Sequence, residues 1–235
     1  MLKLVILGLP RSATTRVYKE LCLEAKRRWR ALCIFEPTNF EVVDQIFHGI
    51  KHVHDVVGDV PYDYDKLPRE LFYAIRENAK WHYEWITKES VTKPFCGEQI
   101  FDILDELDRL PYPIVLKDVH LWVYAPAVAA RYPRAEIIFT LRHFEAWFNS
   151  IKKRLKLVPI PWDKAGIGKF YRFFTNGGYL KEVNESTLFR EAKYVYDKYL
   201  DILERTKSVR DVYIVRFFDQ LQTIQIKALI DAVMS

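Results

Sequence analysis

The chain has 235 residues, half of them hydrophobic, with 36 Lys plus Arg against 31 Asp plus Glu and a net charge of +5. A charged fraction of 29% beside so large an apolar content fits neither a disordered chain nor a membrane protein, and the length suits one α/β domain or at most two small ones. The mild basic excess, with pI near 8.9, suits an anionic ligand but falls short of a dedicated nucleic-acid binder, so no nucleic-acid partner is expected.

In chain order, the apolar run 2–7 reads as a buried strand. It is too short for a secretory leader and runs into Pro10 and Arg11 without a small-residue cleavage site. A helix over 14–30, a strand over 31–35 and a helix over 40–49 follow, then a loop over 55–67 carrying Tyr62 and Tyr64. Pro68 opens a helix over 69–89, and a further helix covers 98–109. The remaining strands are 114–117, 136–141 and 212–216, and the remaining helices 123–131, 144–156, 185–207 and 220–233. Short apolar strands alternating with helices predict an α/β fold with a mostly parallel five-stranded sheet. We expect a single domain over 1–235 with helical or loop insertions around 55–110 and 158–210, the latter containing Trp162 and Tyr171. The longest apolar run, 121–130, is far short of the roughly 20 residues that span a bilayer, so no membrane span is expected. Cys22, Cys33 and Cys96 are odd in number and lack CxxC spacing, which argues against a disulfide framework or zinc site and makes a cytoplasmic location the expectation.

Strand 2–7 runs through Gly8 into the loop ending at Thr14 and Thr15, then into a helix, which is the setting of a phosphate loop. Against the pattern G-x-x-x-x-G-K-S/T, Gly8 and Thr15 match, Ala13 replaces the second glycine and Thr14 stands in place of the lysine. Backbone N–H groups and the two threonine hydroxyls can hold phosphate-like oxygens, whereas the missing lysine makes this a poor site for ATP hydrolysis. Arg11 supplies a planar cation on the loop side instead. The competing reading is an ordinary strand-turn-helix whose hydroxyls cap the helix. Farther on, Tyr132-Pro-Arg-Ala-Glu-Ile-Ile-Phe-Thr-Leu-Arg142 brings Arg142 to the C-terminal edge of a parallel strand, where ligands of open α/β sheets bind, with Ser150 eight positions later.

Pro10-Arg11-Ser12-Ala13-Thr14-Thr15 resembles the P-R/K-S-G-T-T loop of sulfotransferases, and the segment from Tyr132 through Ser150 resembles that family's second signature. A softer likeness lies at 212–221, similar to the family's late R/K-Y-E-D-L segment, where Asp219 reads as a helix N-cap. The resemblance implies a P-loop-kinase-like sheet and sulfuryl transfer from adenosine 3′-phosphate 5′-phosphosulfate (PAPS), with the 3′,5′-bisphosphate (PAP) as product and no metal. It further implies that Arg11, Ser12, Ala13, Thr14 and Thr15 bind the 5′-phosphosulfate, and that Arg142 and Ser150 hold the 3′-phosphate. Ala13 departs from the family's glycine, which costs about 1 kcal/mol if the backbone there is left-handed and nothing if it is helical.

Two groups are candidate bases for an acceptor hydroxyl. Glu36, just after the second strand, is favoured because that strand end is expected beside the phosphate loop, and Glu36-Pro37 resembles the glutamate segment of carbohydrate and tyrosine sulfotransferases. His120, after the third strand, is the alternative, and Lys117 resembles the family lysine that approaches the transferred group. The acceptor itself is a hydroxyl on a sugar, a phenol or a lipid head group. The runner-up reading takes Asp118 as a Walker B carboxylate of a nucleotide kinase or NTPase, and a third takes the chain as a non-catalytic nucleotide-binding scaffold. His48, His52 and His54 read as a helix end rather than a metal site, and Tyr73, Trp81, His82, Tyr83 and Trp85 as core and interface. The basic clusters at Lys26 to Arg30 and Lys152 to Lys156 read as solvated helix ends.

Overall fold

A computed structural model of the chain describes residues 1–10, 12–49, 53–54, 58–88, 99–157, 185–217 and 222–234. The described elements are, in order, β1 (Leu2–Leu7), α1 (Thr14–Trp29), β2 (Leu32–Phe35), α2 (Phe40–Phe47), β3 (Val53–His54), β4 (Gly58–Asp59), a 3-10 turn at Tyr64–Lys66, α3 (Arg69–Lys88) and α4 (Gln99–Arg109). They continue with β5 (Ile114–Asp118), a 3-10 turn at Leu121–Tyr124, α5 (Ala125–Arg131), β6 (Glu136–Arg142), α6 (Phe144–Leu157), α7 (Glu185–Val209), β7 (Tyr213–Phe217) and α8 (Gln222–Met234).

Among the described residues the main sheet has five parallel strands in the order β2-β5-β1-β6-β7. This is the expected α/β architecture, with the expected strands displaced by no more than a residue at either end. β1 lies in the middle, and its side chains alternate between two cores. Leu4 and Ile6 pack with Val17, Tyr18 and Leu21 of α1 and with Ile226 and Leu229 of α8. Val5 and Leu7 belong to the opposite core, which takes in residues of α3, α4, α5, α6 and α7. Covering both faces explains why these strands are almost uniformly apolar.

Three stretches differ from expectation for local reasons. Residues 53–54 and 58–59 form a small antiparallel ladder, so His54 sits on a strand and not on the expected helix end, α2 having stopped at Phe47, and 58–59 are strand where loop is expected. The predicted helix 123–131 divides into a 3-10 turn and α5, because Pro126 falls in the first turn of α5 and supplies no N–H to continue the preceding one. Tyr64, expected on an open loop, is fully buried and donates to the Phe35 carbonyl at 3.0 Å. Lys26 is likewise not a solvated helix end, since its ammonium pairs with buried Asp63 at 2.8 Å. Trp162 and Tyr171 lie outside the described residues.

Candidate active site

The phosphate loop leaves β1 through Gly8, and this position tolerates no side chain. A Cβ there would fall 2.1 Å from Thr140 Oγ1, 2.6 Å from Thr14 Cγ2 and 2.8 Å from Ser12 Oγ. The Ser12 hydroxyl donates to the Leu9 carbonyl at 2.6 Å and lies 2.8 Å from Thr140 Oγ1, so it fastens the loop to β6 instead of facing outward. The indole N–H of Trp147 on α6 donates to the Pro10 carbonyl at 2.8 Å, adding a second tie. Arg11 lies outside the described residues.

Ala13 is the N-cap of α1, with φ 68° and ψ 17°. Two consequences follow from this one residue. Alanine has no side-chain acceptor, so the capping reading fails: Arg16 and Val17 N–H turn back to the Ala13 carbonyl at 3.1 and 3.2 Å, no N-cap side chain closes the N–H groups before them, and the positive end of the helix dipole there can bind an anion. The left-handed backbone also makes alanine strained, at the position where the resembling P-R/K-S-G-T-T loop has glycine. Ala13→Gly is therefore expected to raise stability by about 0.5–1 kcal/mol, the relief of strain less the extra chain entropy of glycine, seen as a rise in Tm of about 1–4 °C. An unchanged or lower Tm would show that alanine is not strained there.

The second wall is made by the ends of β2 and β5. The expected reason for favouring Glu36 does not hold, because β5 intervenes between β2 and β1, so Glu36 is not at the strand end beside the phosphate loop. Register instead sets Phe35 against Lys117, and Glu36 N–H donates to the Lys117 carbonyl at 2.7 Å. Glu36 adopts φ 51°, a strained conformation for a residue with a Cβ, and its side chain forms a buried ion pair with Lys117. Its other oxygen accepts from Asn39 Nδ2 at 2.6 Å. Burial pushes the Glu36 carboxyl up, but Lys117, Asn39 and His120 together outweigh it and hold the group below its ordinary value. The Lys117 ammonium, 1% exposed along its side chain, also lies 4.5 Å from the centre of the Phe35 ring.

Asp118 is committed to the backbone. Its carboxylate accepts from Thr38 Oγ1 at 2.7 Å, Thr38 N at 3.0 Å, His120 N at 2.6 Å and Leu121 N at 3.1 Å. A side chain filled in this way shapes the turn into His120 and is poorly disposed to act as a Walker B ligand, which removes the structural support for the kinase reading. His120 is 8% exposed, and its Nδ1 lies 3.2 Å from Nδ1 of His82 on α3. Burial lowers the His120 pKa to about 4, with Glu36 pulling the other way, and lowers that of His82 to about 3. Both imidazoles are thus neutral at pH 7.

Arg142 ends β6, two residues beyond Thr140, and its carbonyl accepts from the Tyr196 hydroxyl at 2.7 Å. Tyr199 does the same for Thr140 at 2.8 Å, so α7 braces the strand end from behind. Ser150 is buried on α6, three residues after Trp147 and hence on the helix face that touches the phosphate loop. The fold therefore brings the Ser12 to Thr15 loop, Lys117 with Glu36 and His120, and Arg142 to the C-terminal edge of one sheet, as open α/β sites require, while Ser150 lies farther on, within α6.

A family model described as a sulfotransferase domain matches residues 69–221, well over half of the chain. The chain belongs to the sulfotransferase domain family. The matched part contains Lys117, His120, Arg142 and Ser150, while Glu36 and the phosphate loop precede it. Among solved structures, a sulfotransferase, STF1 from Mycobacterium tuberculosis H37Rv, is similar at 15% identity and a TM-score of 0.49, over 99% of this chain and 67% of that one. No curated protein matches the chain significantly.

Several residues of this candidate site in the sulfotransferase-family chain carry no motif. His82 stands out in sequence only as one polar position in the buried α3 stripe of Leu71, Ile75 and Ala79. Of its aromatic neighbours, expected as core and interface, Trp81 is 57% exposed and Tyr73 39%, so neither is core. Thr38, Asn39 and Thr140 are ordinary polar residues; the partners of Thr38 and Thr140 lie across the sheet edge, and that of Asn39 is Glu36, three residues earlier. Among the described residues no helix is long and apolar enough to cross a membrane, and no group of three or more His, Cys, Asp and Glu could hold a metal ion.

Proposed function

We propose that this chain is a PAPS-dependent sulfotransferase that moves a sulfuryl group to the hydroxyl of a small-molecule acceptor by in-line transfer. The observation that carries the reading is the helix N-terminus at Ala13, not closed by a side-chain cap, facing the strand edge that also presents Lys117, His120 and Arg142. Thr14, Thr15 and the backbone of 12–15 would hold the 5′-phosphosulfate, with Arg11 assigned to the same end by its place in the loop sequence. Arg142 and Ser150 would hold the 3′-phosphate. PAPS, when bound, supplies a sulfuryl group on a phosphate leaving oxygen.

His120 is the better base of the two candidates. It is neutral at pH 7, whereas Glu36 is ion-paired and held below its ordinary value. In this reading His120 takes the acceptor proton as the acceptor oxygen bonds to sulfur and the sulfur–phosphate oxygen bond breaks, its electron pair leaving with PAP. Lys117 and the helix dipole stabilise the charge that develops, and Glu36 holds Lys117 in place and steadies the imidazolium. We place the reaction in the cytoplasm, in a single domain over 1–235, on a sugar, phenol or lipid head-group hydroxyl, without a metal or nucleic acid.

The test is thermal stabilisation followed by transfer. PAP is expected to raise Tm without magnesium, and Arg142→Ala to abolish most of that rise. A response only to ATP with magnesium would overturn the donor assignment. With labelled donor and a panel of hydroxyl acceptors, His120→Ala should lower kcat by about 10²–10⁴-fold and Glu36→Gln by less. The reverse order would return the base to Glu36, and tight PAP binding without transfer to any acceptor would favour a scaffold.

A further inference from the structure

The contact between His82 and His120 has a direction. Two ring nitrogens 3.2 Å apart, in rings whose centres are 4.8 Å apart, hydrogen-bond only if one donates and the other accepts. His82 also bonds to the backbone carbonyl of Thr38, and a carbonyl accepts only. A neutral imidazole has one N–H, so His82 spends its proton on Thr38 and turns Nδ1 to His120 as an acceptor. The proton between the rings then belongs to Nδ1 of His120, and the basic lone pair of His120 is on Nε2.

We propose that His82 is a positioning residue that fixes the His120 ring as its Nδ1–H tautomer, making Nε2 the atom that takes the acceptor proton. The inference rests on the reading of His120 as base. Once Nε2 is protonated, the Nδ1–H to His82 bond persists, so the ring does not turn away during the reaction. The charged groups facing the pair are Glu36 after β2 and Lys117 and Asp118 on β5, of which Glu36 favours the imidazolium. Thr38 serves both sides of this arrangement, because its N–H and hydroxyl donate to Asp118 while its carbonyl receives His82.

The test uses the whole chain labelled with ¹⁵N at histidine. In the unsubstituted protein, His120 is expected to show a protonated Nδ1 and a pyridine-like Nε2 at pH 7. His82→Phe should mix or reverse that pattern and lower kcat on the order of 10²-fold, with the acceptor KM and PAP binding unchanged. His82→Asn, whose amide oxygen stands near the position of Nδ1, should recover part of the rate. A protonated Nε2 on His120 in the unsubstituted protein would overturn the proposal even if the variants fail to fold. A rise in KM together with comparable losses of PAP binding and kcat in both variants would reduce His82 to a packing role. Should the tautomer be as expected while His120→Ala keeps its rate, the base reading fails and takes the catalytic role of His82 with it, the spectrum separating that failure from a wrong tautomer.

Discussion

Replacing Lys117 with methionine is expected to destabilise the fold by about 3–5 kcal/mol and to abolish transfer, because it strips the partner from a buried carboxylate. Glu36 would keep its place between Phe35 and Pro37, with the Asn39 hydrogen bond and the nearby His120 left to compensate for lost hydration. The double variant Lys117→Met with Glu36→Gln should recover most of the stability and none of the activity, since a pair removed together leaves no uncompensated charge. Urea unfolding midpoints would decide this, and equal midpoints for the single and double variants would show that the pair is not what Lys117 sustains. The pH dependence has a definite sign. In the unsubstituted chain the Glu36 carboxyl is held below its unfolded value, so its contribution is full above about pH 4.3 and lost as pH falls through the folded value. In the methionine variant the same carboxyl is expected to move above its unfolded value, a contribution present in acid and lost as pH rises. The gap between the two proteins should therefore narrow on acidification.

Gly8→Ala is expected to be nearly as damaging, through volume alone. Its methyl group would enter space already occupied by Thr140 Oγ1, Thr14 Cγ2 and Ser12 Oγ, and none of the three is the end of a long flexible side chain. Overpacking of this kind costs about 1–3 kcal/mol, or a fall in Tm of roughly 2–12 °C, and the loop would separate from β6 as the Ser12 to Thr140 bond opens. PAP should then no longer stabilise the protein. Thr140→Ala in the same chain removes the closest contact and is expected to restore part of the Tm. A Gly8→Ala protein with unaltered Tm and PAP response would mean that the loop is not anchored as described.

Most of the sheet was legible because its strands are short apolar runs between helical patterns, and the phosphate loop because glycine, arginine and paired threonines occupy fixed offsets. What escaped depended on three-dimensional facts that residue type leaves open. Alanine is compatible with a helix, so only the observed φ of 68° shows that Ala13 is strained. The hydroxyl of Ser12 looks outward in a motif, yet it is used internally by Leu9 and Thr140. Strand order misplaced Glu36, since consecutive strands β1 and β2 are separated by a strand from the middle of the chain. Helical spacing groups His82 with its aromatic neighbours and marks a buried face without saying that one member of it reaches another histidine 38 positions away.

The position of β1 has a consequence for how the protein is made. Both of its neighbours, β5 and β6, lie more than a hundred residues later in the chain. At roughly 5–20 residues per second, β1 waits on the order of ten seconds before either partner exists. During that interval Leu2 to Leu7 form an apolar segment with no sheet to join, and Gly8 and Ser12 have no Thr140 to pack against. The anion site thus comes into being late, after translation has passed Arg142, and the period of greatest exposure to misassembly falls between the synthesis of β1 and that of β5.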